Sequence, residues 1–126
     1  YPYLIQPNIS LLMSKDAYER FSGELVDGDI MLIEKDLVHP KKDSRKIDSY
    51  AIPATRLAEE MGRRIVTNII MVGFFSSITQ ITSYEATRKA VETSVPPGTE
   101  ELNLKAFETG YNFGKDLLKS SKKNVA

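Results

Sequence analysis

The sequence predicts an α/β fold, a three-layer arrangement in which helices flank a small, mostly parallel sheet and the C-terminal half is helical. Three observations predict it. Two nearly continuous apolar runs of strand length, "ISLLMS" and "DIMLIE", bracket a short amphipathic stretch. Such runs, apolar throughout rather than alternating, suit strands covered on both faces, as in a parallel sheet. Beyond residue 53 the pattern changes to helical periods divided by capping and breaking residues.

The elements follow in order. Ile9 to Ser14 reads as the first strand, and in "SKDAYERFSG" Ser14 is placed to cap a helix. Ala17 and Phe21 share a face of that helix and Gly23 ends it. Asp29 to Glu34 forms the second strand, which completes a strand–helix–strand unit with a right-handed crossover. "VHPKKDSRK" is a polar turn, and "IDSYAIP" is a third strand that stops at Pro53. In "ATRLAEEMG", Leu57, Ala58 and Met61 share a helix face and Gly62 is the stop. A further helix spans Arg64 to Gln80, and Thr82 and Glu85 stand at capping-box spacing before the next. Pro96, Pro97 and Gly98 break the chain, Thr99 caps the last helix, and Leu104, Phe107, Tyr111 and Leu118 form its apolar stripe. Gly110 and Gly114, inside "GYNFG", cost that helix about 1 kcal/mol each in propensity. They are expected to allow close packing against another helix. One domain covers residues 1–118, with a polar tail at 119–126.

No charge occurs from Ile65 to Tyr84. A membrane-spanning helix needs about 20 predominantly apolar residues. This run carries Thr67, Asn68, Ser76, Ser77, Thr79, Gln80, Thr82 and Ser83, so it reads as a deeply packed helix instead. Asn68 is expected to be a buried, hydrogen-bonded amide.

Composition bounds the chemistry. Lys+Arg and Asp+Glu both number 17 in 126 residues, so no broad field favours nucleic acid or anionic lipid. With no cysteine there is no disulfide, thiolate nucleophile or iron–sulfur ligand, and a reducing cytoplasmic setting is compatible. His39 is the single histidine, with no Ser or Cys placed to form a triad. No spacing suits a metal, and the glycines match neither a dinucleotide loop nor a P-loop. Arg63 and Arg64 can hold an anion at a helix start and, with Asn68, are the candidate cofactor-binding residues. Catalytic and metal-binding residues are read as none.

"IPATRLAEEMG" followed by "VTNIIMVGFF" resembles the gamma subunit, or gamma domain, of the 2-oxoacid:ferredoxin oxidoreductases, the pyruvate, 2-oxoglutarate and ketoisovalerate family. In that family a P-A-T-x-x-A-x-x-x-G turn and helix precedes a helix of N-[IM]-[VI]-[MAL]-x-G type, as at Asn68 to Gly73. "QPNISLLMSKDAYERF" and "ELNLKAFETGYNFG" are similar to two further segments in the same order. Asn8 stands where the family often has Asp, and Arg63 where Asn often follows the glycine. The family's glycine-rich N-terminal loop has no counterpart, so the chain, starting at Tyr1, is expected to begin part-way in.

The resemblance implies one subunit of an assembly that oxidatively decarboxylates a 2-oxo acid, makes an acyl-coenzyme A and passes electrons to ferredoxin. Thiamine diphosphate, magnesium and iron–sulfur clusters are expected in partner subunits, with coenzyme A as co-substrate and no cofactor on this chain. The isolated chain is expected to be inactive. The alternative is a free-standing α/β nucleotide-binding or interaction module with no catalysis of its own. If a first strand is missing, "ISLLM" becomes an apolar sheet edge that invites pairing. The fragment is then expected to self-associate or to stay bound to its own upstream segment. Light scattering with intact-mass analysis checks this, and a strictly monomeric 14.2 kDa species with a cooperative melt would contradict it.

Overall fold

The computed structural model describes residues 8–125, so Tyr1 and the Pro7 of "QPN" lie outside the described residues. The elements are β1 (Ile9–Leu12), α1 (Lys15–Phe21), β2 (Ile30–Glu34), β3 (Asp48–Ile52), α2 (Ala54–Glu60), α3 (Thr67–Thr79), α4 (Tyr84–Ser94) and α5 (Glu100–Val125). The α/β class is as expected. The chain divides into two compact units, residues 1–51 and 52–126.

The first unit carries the sheet, whose strand order is β1-β2-β3. β1 and β2 run parallel, in register from Ile9 with Ile30 to Leu12 with Ile33. Ser14 caps α1 as expected, its hydroxyl accepting from Ala17 N at 3.0 Å. Leu12, Leu25, Met31, Ile33 and Val38 form the buried cluster, with Ala17, Tyr18, Ile47 and Ala51 against it. Phe21, one turn beyond Ala17 on the same face and at the end of α1, is 46% exposed.

The starts of the three strands are tied by one residue that the sequence reading passed over, through both its side chain and its backbone. Asp29, only 3% exposed, accepts from Asn8 N at 3.0 Å and Val26 N at 2.9 Å, while its carbonyl accepts from Asp48 N at 3.1 Å. Two backbone donors satisfy the buried carboxylate, which would otherwise cost several kcal/mol to bury.

The second unit is helical. α2 ends at Gly62, whose φ of +81° a side chain rarely adopts. α3 is preceded by a 3-10 turn, Arg64–Val66, and closes at Gln80 in the left-handed conformation. Gln80 N donates to Ser76 O at 3.0 Å and its side chain to Ser77 O at 2.8 Å, so two terminal carbonyls are satisfied. The N-cap of α4 is Ser83, which accepts from Ala86 N, rather than Thr82; the expected capping box is one residue out. Thr82 instead pairs its hydroxyl with that of Thr87 at 2.7 Å. Thr99 heads α5, but its hydroxyl donates to Pro96 O at 2.6 Å and closes the Pro-Pro-Gly turn. The stretch from 119, read as a tail, is helical as far as Val125.

α3 and α5 cross at glycines. A Cβ on Gly73 would stand 2.8 Å from Tyr111 N, and one on Gly110 would stand 2.8 Å from the Ile70 carbonyl carbon. Gly114 abuts the Ser77 side chain in the same way. Around this contact Ile70, Met71, Phe74, Ala106 and Phe107 are buried, and Phe74 meets Phe113 edge-on at 6.1 Å. α4 joins through Tyr84, which touches Phe107 and Tyr111 and donates its hydroxyl to Glu108. That hydrogen bond, with some burial, holds the Tyr84 pKa above its ordinary value of 10.0.

Gly110→Ala forces a methyl against backbone on the facing helix, which cannot swing away. Overpacking costs about 1–3 kcal/mol and outweighs the roughly 1 kcal/mol that alanine gains in helix propensity. Denaturant midpoints are expected to fall for Gly110→Ala and Gly73→Ala. Gly23→Ala, with nothing within 4 Å, should stay within about 0.5 kcal/mol. Equal midpoints for all three would contradict the close crossing.

Candidate functional site

Two surfaces merit description, one in each unit. In the first unit, the loop between β2 and β3 folds over the end of α1. Arg45 fastens it: Nη1 donates to Ser22 O at 2.8 Å and to Leu25 O at 2.7 Å, while Nε and Nη2 reach Asp43 Oδ2 at 3.0 and 2.6 Å. Tyr18 accepts from Lys41 N at 2.8 Å, and Asp27 accepts from Lys46 N at 2.7 Å. The Arg45 guanidinium holds the Asp43 carboxyl below its ordinary pKa of 3.8. Glu34, fully buried at the end of β2, accepts from Asp36 N at 2.7 Å and starts the loop.

Two adjoining grooves of about 370 and 320 Å³ result, sharing Tyr18, Ser22, Lys41, Asp43 and Arg45. Lys15, Lys42 and His39 stand on their walls. Lysine ammonium groups, the carboxylates of Glu19 and Asp43, hydroxyls and the apolar Leu25 and Met31 line these grooves together. Sequence reading missed this groove because its parts are far apart, Tyr18 on α1 and Arg45 in the loop. The basic composition of "VHPKKDSRK" was the available signal.

In the second unit, Arg63, Arg64 and Asn68 lie at or just before the head of α3 and all three are exposed. Asn68 is therefore corrected: it is on the surface rather than a buried amide. It falls on the outer stripe of the helix, three residues after Ile65 and four before Val72, both exposed. His39 is an exposed loop residue. Among the described residues no group of three or more His, Asp or Glu side chains is gathered to hold a metal, and no helix is long and apolar enough to cross a membrane.

The class the fold defines is an α/β chain with a three-stranded sheet in its first unit and a helical second unit. The family of pyruvate ferredoxin/flavodoxin oxidoreductases matches residues 1–113, and the chain belongs to it. The chain is similar to the 2-oxoglutarate synthase subunit KorC of Methanocaldococcus jannaschii, 40% identical over 119 residues, 93% of this chain and 64% of the relative. The KorC subunit of Methanothermobacter marburgensis is 36% identical over 116 residues, 87% of this chain and 62% of the relative. Among solved structures it is similar to a keto/oxoacid ferredoxin oxidoreductase gamma subunit from Geobacter sulfurreducens PCA. That match has a TM-score of 0.80 at 32% identity and covers 88% of this chain and 66% of that one. The chain thus spans just under two thirds of the length of these relatives.

Cutting the Arg45 fastening is expected to release the lysine loop. Arg45→Met should be nicked by trypsin at Lys41 and Lys42 several-fold faster than wild type at pH 7. Because the folded-state pKa of Asp43 is depressed, its contribution is present above 3.8 and is lost as pH falls through the lower folded value. The Arg45–Asp43 contact should therefore persist at pH 4, read there by amide hydrogen exchange across residues 41–46. Equal cleavage rates for variant and wild type would show that Arg45 does not hold the loop.

Proposed function

We propose that this chain is the gamma subunit of a multi-subunit 2-oxoacid:ferredoxin oxidoreductase, which converts a 2-oxo acid and coenzyme A to an acyl-coenzyme A with release of carbon dioxide and transfer of electrons to ferredoxin. The observation that carries this reading is the family match over residues 1–113. The relatives named as KorC support 2-oxoglutarate as the 2-oxo acid. A chain without cysteine supplies no thiolate to an iron–sulfur cluster, so the clusters belong to companion subunits. Thiamine diphosphate and its magnesium are assigned to those subunits too, and the assembly to the cytoplasm.

The work left to this chain is assembly and the handling of coenzyme A. Its lysine-walled groove suits the phosphates of that co-substrate. Arg63, Arg64 and Asn68, exposed at the positive end of α3, are proposed contacts for an anionic group held by a partner chain.

The full-length protein purified alone should be colourless and should not turn over any 2-oxo acid. With its companion chains it should reduce ferredoxin, with 2-oxoglutarate preferred over pyruvate. Lys41→Glu with Lys42→Glu should raise the KM for coenzyme A several-fold and leave the KM for the 2-oxo acid unchanged. A visible iron–sulfur band or turnover from the chain alone would refute the division of labour.

A further inference from the structure

Asp27–Gly28 is the only Asp-Gly pair in the sequence, and no Asn-Gly pair occurs. In such a pair the glycine nitrogen has no side chain beside it to block its approach to the Asp carboxyl. Its attack forms an N–C bond, closes a succinimide ring and expels one water. Water then adds back to either ring carbonyl and gives aspartate or isoaspartate, whose main chain runs through the former side chain. No oxidant or other reactant enters. Asp27 and Gly28 are both exposed, in the turn before β2. Asp29 N closes that turn on Val26 O at 3.0 Å, and Gly28 takes the place that needs a positive φ, here +92°.

The two groups that would react are both engaged by one residue. Gly28 N donates to Lys46 O at 2.9 Å, and Asp27 Oδ1 accepts from Lys46 N at 2.7 Å. Ring closure needs the nitrogen and the carboxyl carbon in attack geometry, and each is committed to Lys46 instead. Lys46 is itself held from both sides. Arg45 donates to Ser22 O and Leu25 O, and Asp48 N donates to Asp29 O at 3.1 Å. We infer that Asp27–Gly28 is a latent site of isoaspartate formation, which the fold keeps closed through the Lys46 backbone and which opens when the Arg45 fastening is released. The consequence reaches beyond the turn. Val26 N donates to Asp29 Oδ2 at 2.9 Å across this pair, and the same carboxylate accepts from Asn8 N. Isoaspartate at 27 adds a main-chain carbon inside that bridge and so loosens the tie between the strand starts.

The test is isoaspartate at residue 27, read by peptide mapping and by enzymatic methylation with a labelled methyl donor. The full-length protein is incubated at neutral pH, native and in guanidinium chloride, and hydrogen exchange of the Gly28 amide reads the same opening independently. The native protein is expected to convert at least tenfold more slowly than the unfolded chain, because reaction waits on local opening. Arg45→Met, folded by its thermal melt, should convert several-fold faster than wild type and lose Gly28 protection in step. Asp27→Glu, which would have to close a larger ring, should lose the label at this position. Native wild type converting as fast as the unfolded chain would overturn the proposal. So would a folded Arg45→Met variant that converts at the wild-type rate, or labelling that is unchanged in Asp27→Glu. Where Arg45→Met does not fold, the ratio of native to unfolded wild-type rates decides by itself.

Discussion

The second unit depends on the crossing of α3 and α5 at three glycines. Gly73 lies against the Phe107 and Tyr111 backbone, Gly110 against the Ile70 and Phe74 backbone, and Gly114 against Ser77. Each glycine weakens its own helix by about 1 kcal/mol relative to alanine. The close approach lets Phe74, Phe107, Ile70 and Met71 bury completely, at roughly 1.5–3 kcal/mol apiece, so burial decides the balance. Backbone contact also explains the buried serines. Ser76 and Ser77 are small enough for the crossing, and Ser77 returns its hydroxyl hydrogen bond to Phe74 O within its own helix.

A helix pressed so closely on one side has little room for large or charged residues there, which accounts for half of its uncharged sequence. The outer side has no such constraint, and its lack of charge calls for a different cause. On the proposed reading a partner subunit would supply one, because a side chain that ends in an interface obeys nearly the same rules as one that ends in a core. The first unit is organised by other means. Asp29 gathers the strand starts and Arg45 pins the lysine loop, so the groove walls stand on fixed backbone.

Much of this was legible from residues alone where the signal is local. Continuous apolar runs gave β1 and β2, Ser14 and Gly62 marked a start and a stop, and the glycines of "GYNFG" announced the close helix contact. What was not legible depends on distance or on direction. Asp29 and Arg45 act through residues about 20 positions away, which no local pattern reveals. Asn68 was misread as buried because a polar amide near the start of an uncharged helix was assigned to its core side, whereas its position on the wheel relative to Gly73 faces it outward. At α4 two adjacent hydroxyl residues, Thr82 and Ser83, both had cap chemistry, and the backbone geometry selected the second.

The most direct test of the account is amide hydrogen exchange across α3 in the full-length protein, alone and with its companion subunits. The segment from Arg63 to Phe75 should gain protection on assembly, while the α5 segment around Gly110, already sealed by the helix crossing, should change little. Protection gained elsewhere, with no change from Arg63 to Phe75, would contradict the claim that this uncharged helix serves a core on one side and a partner on the other.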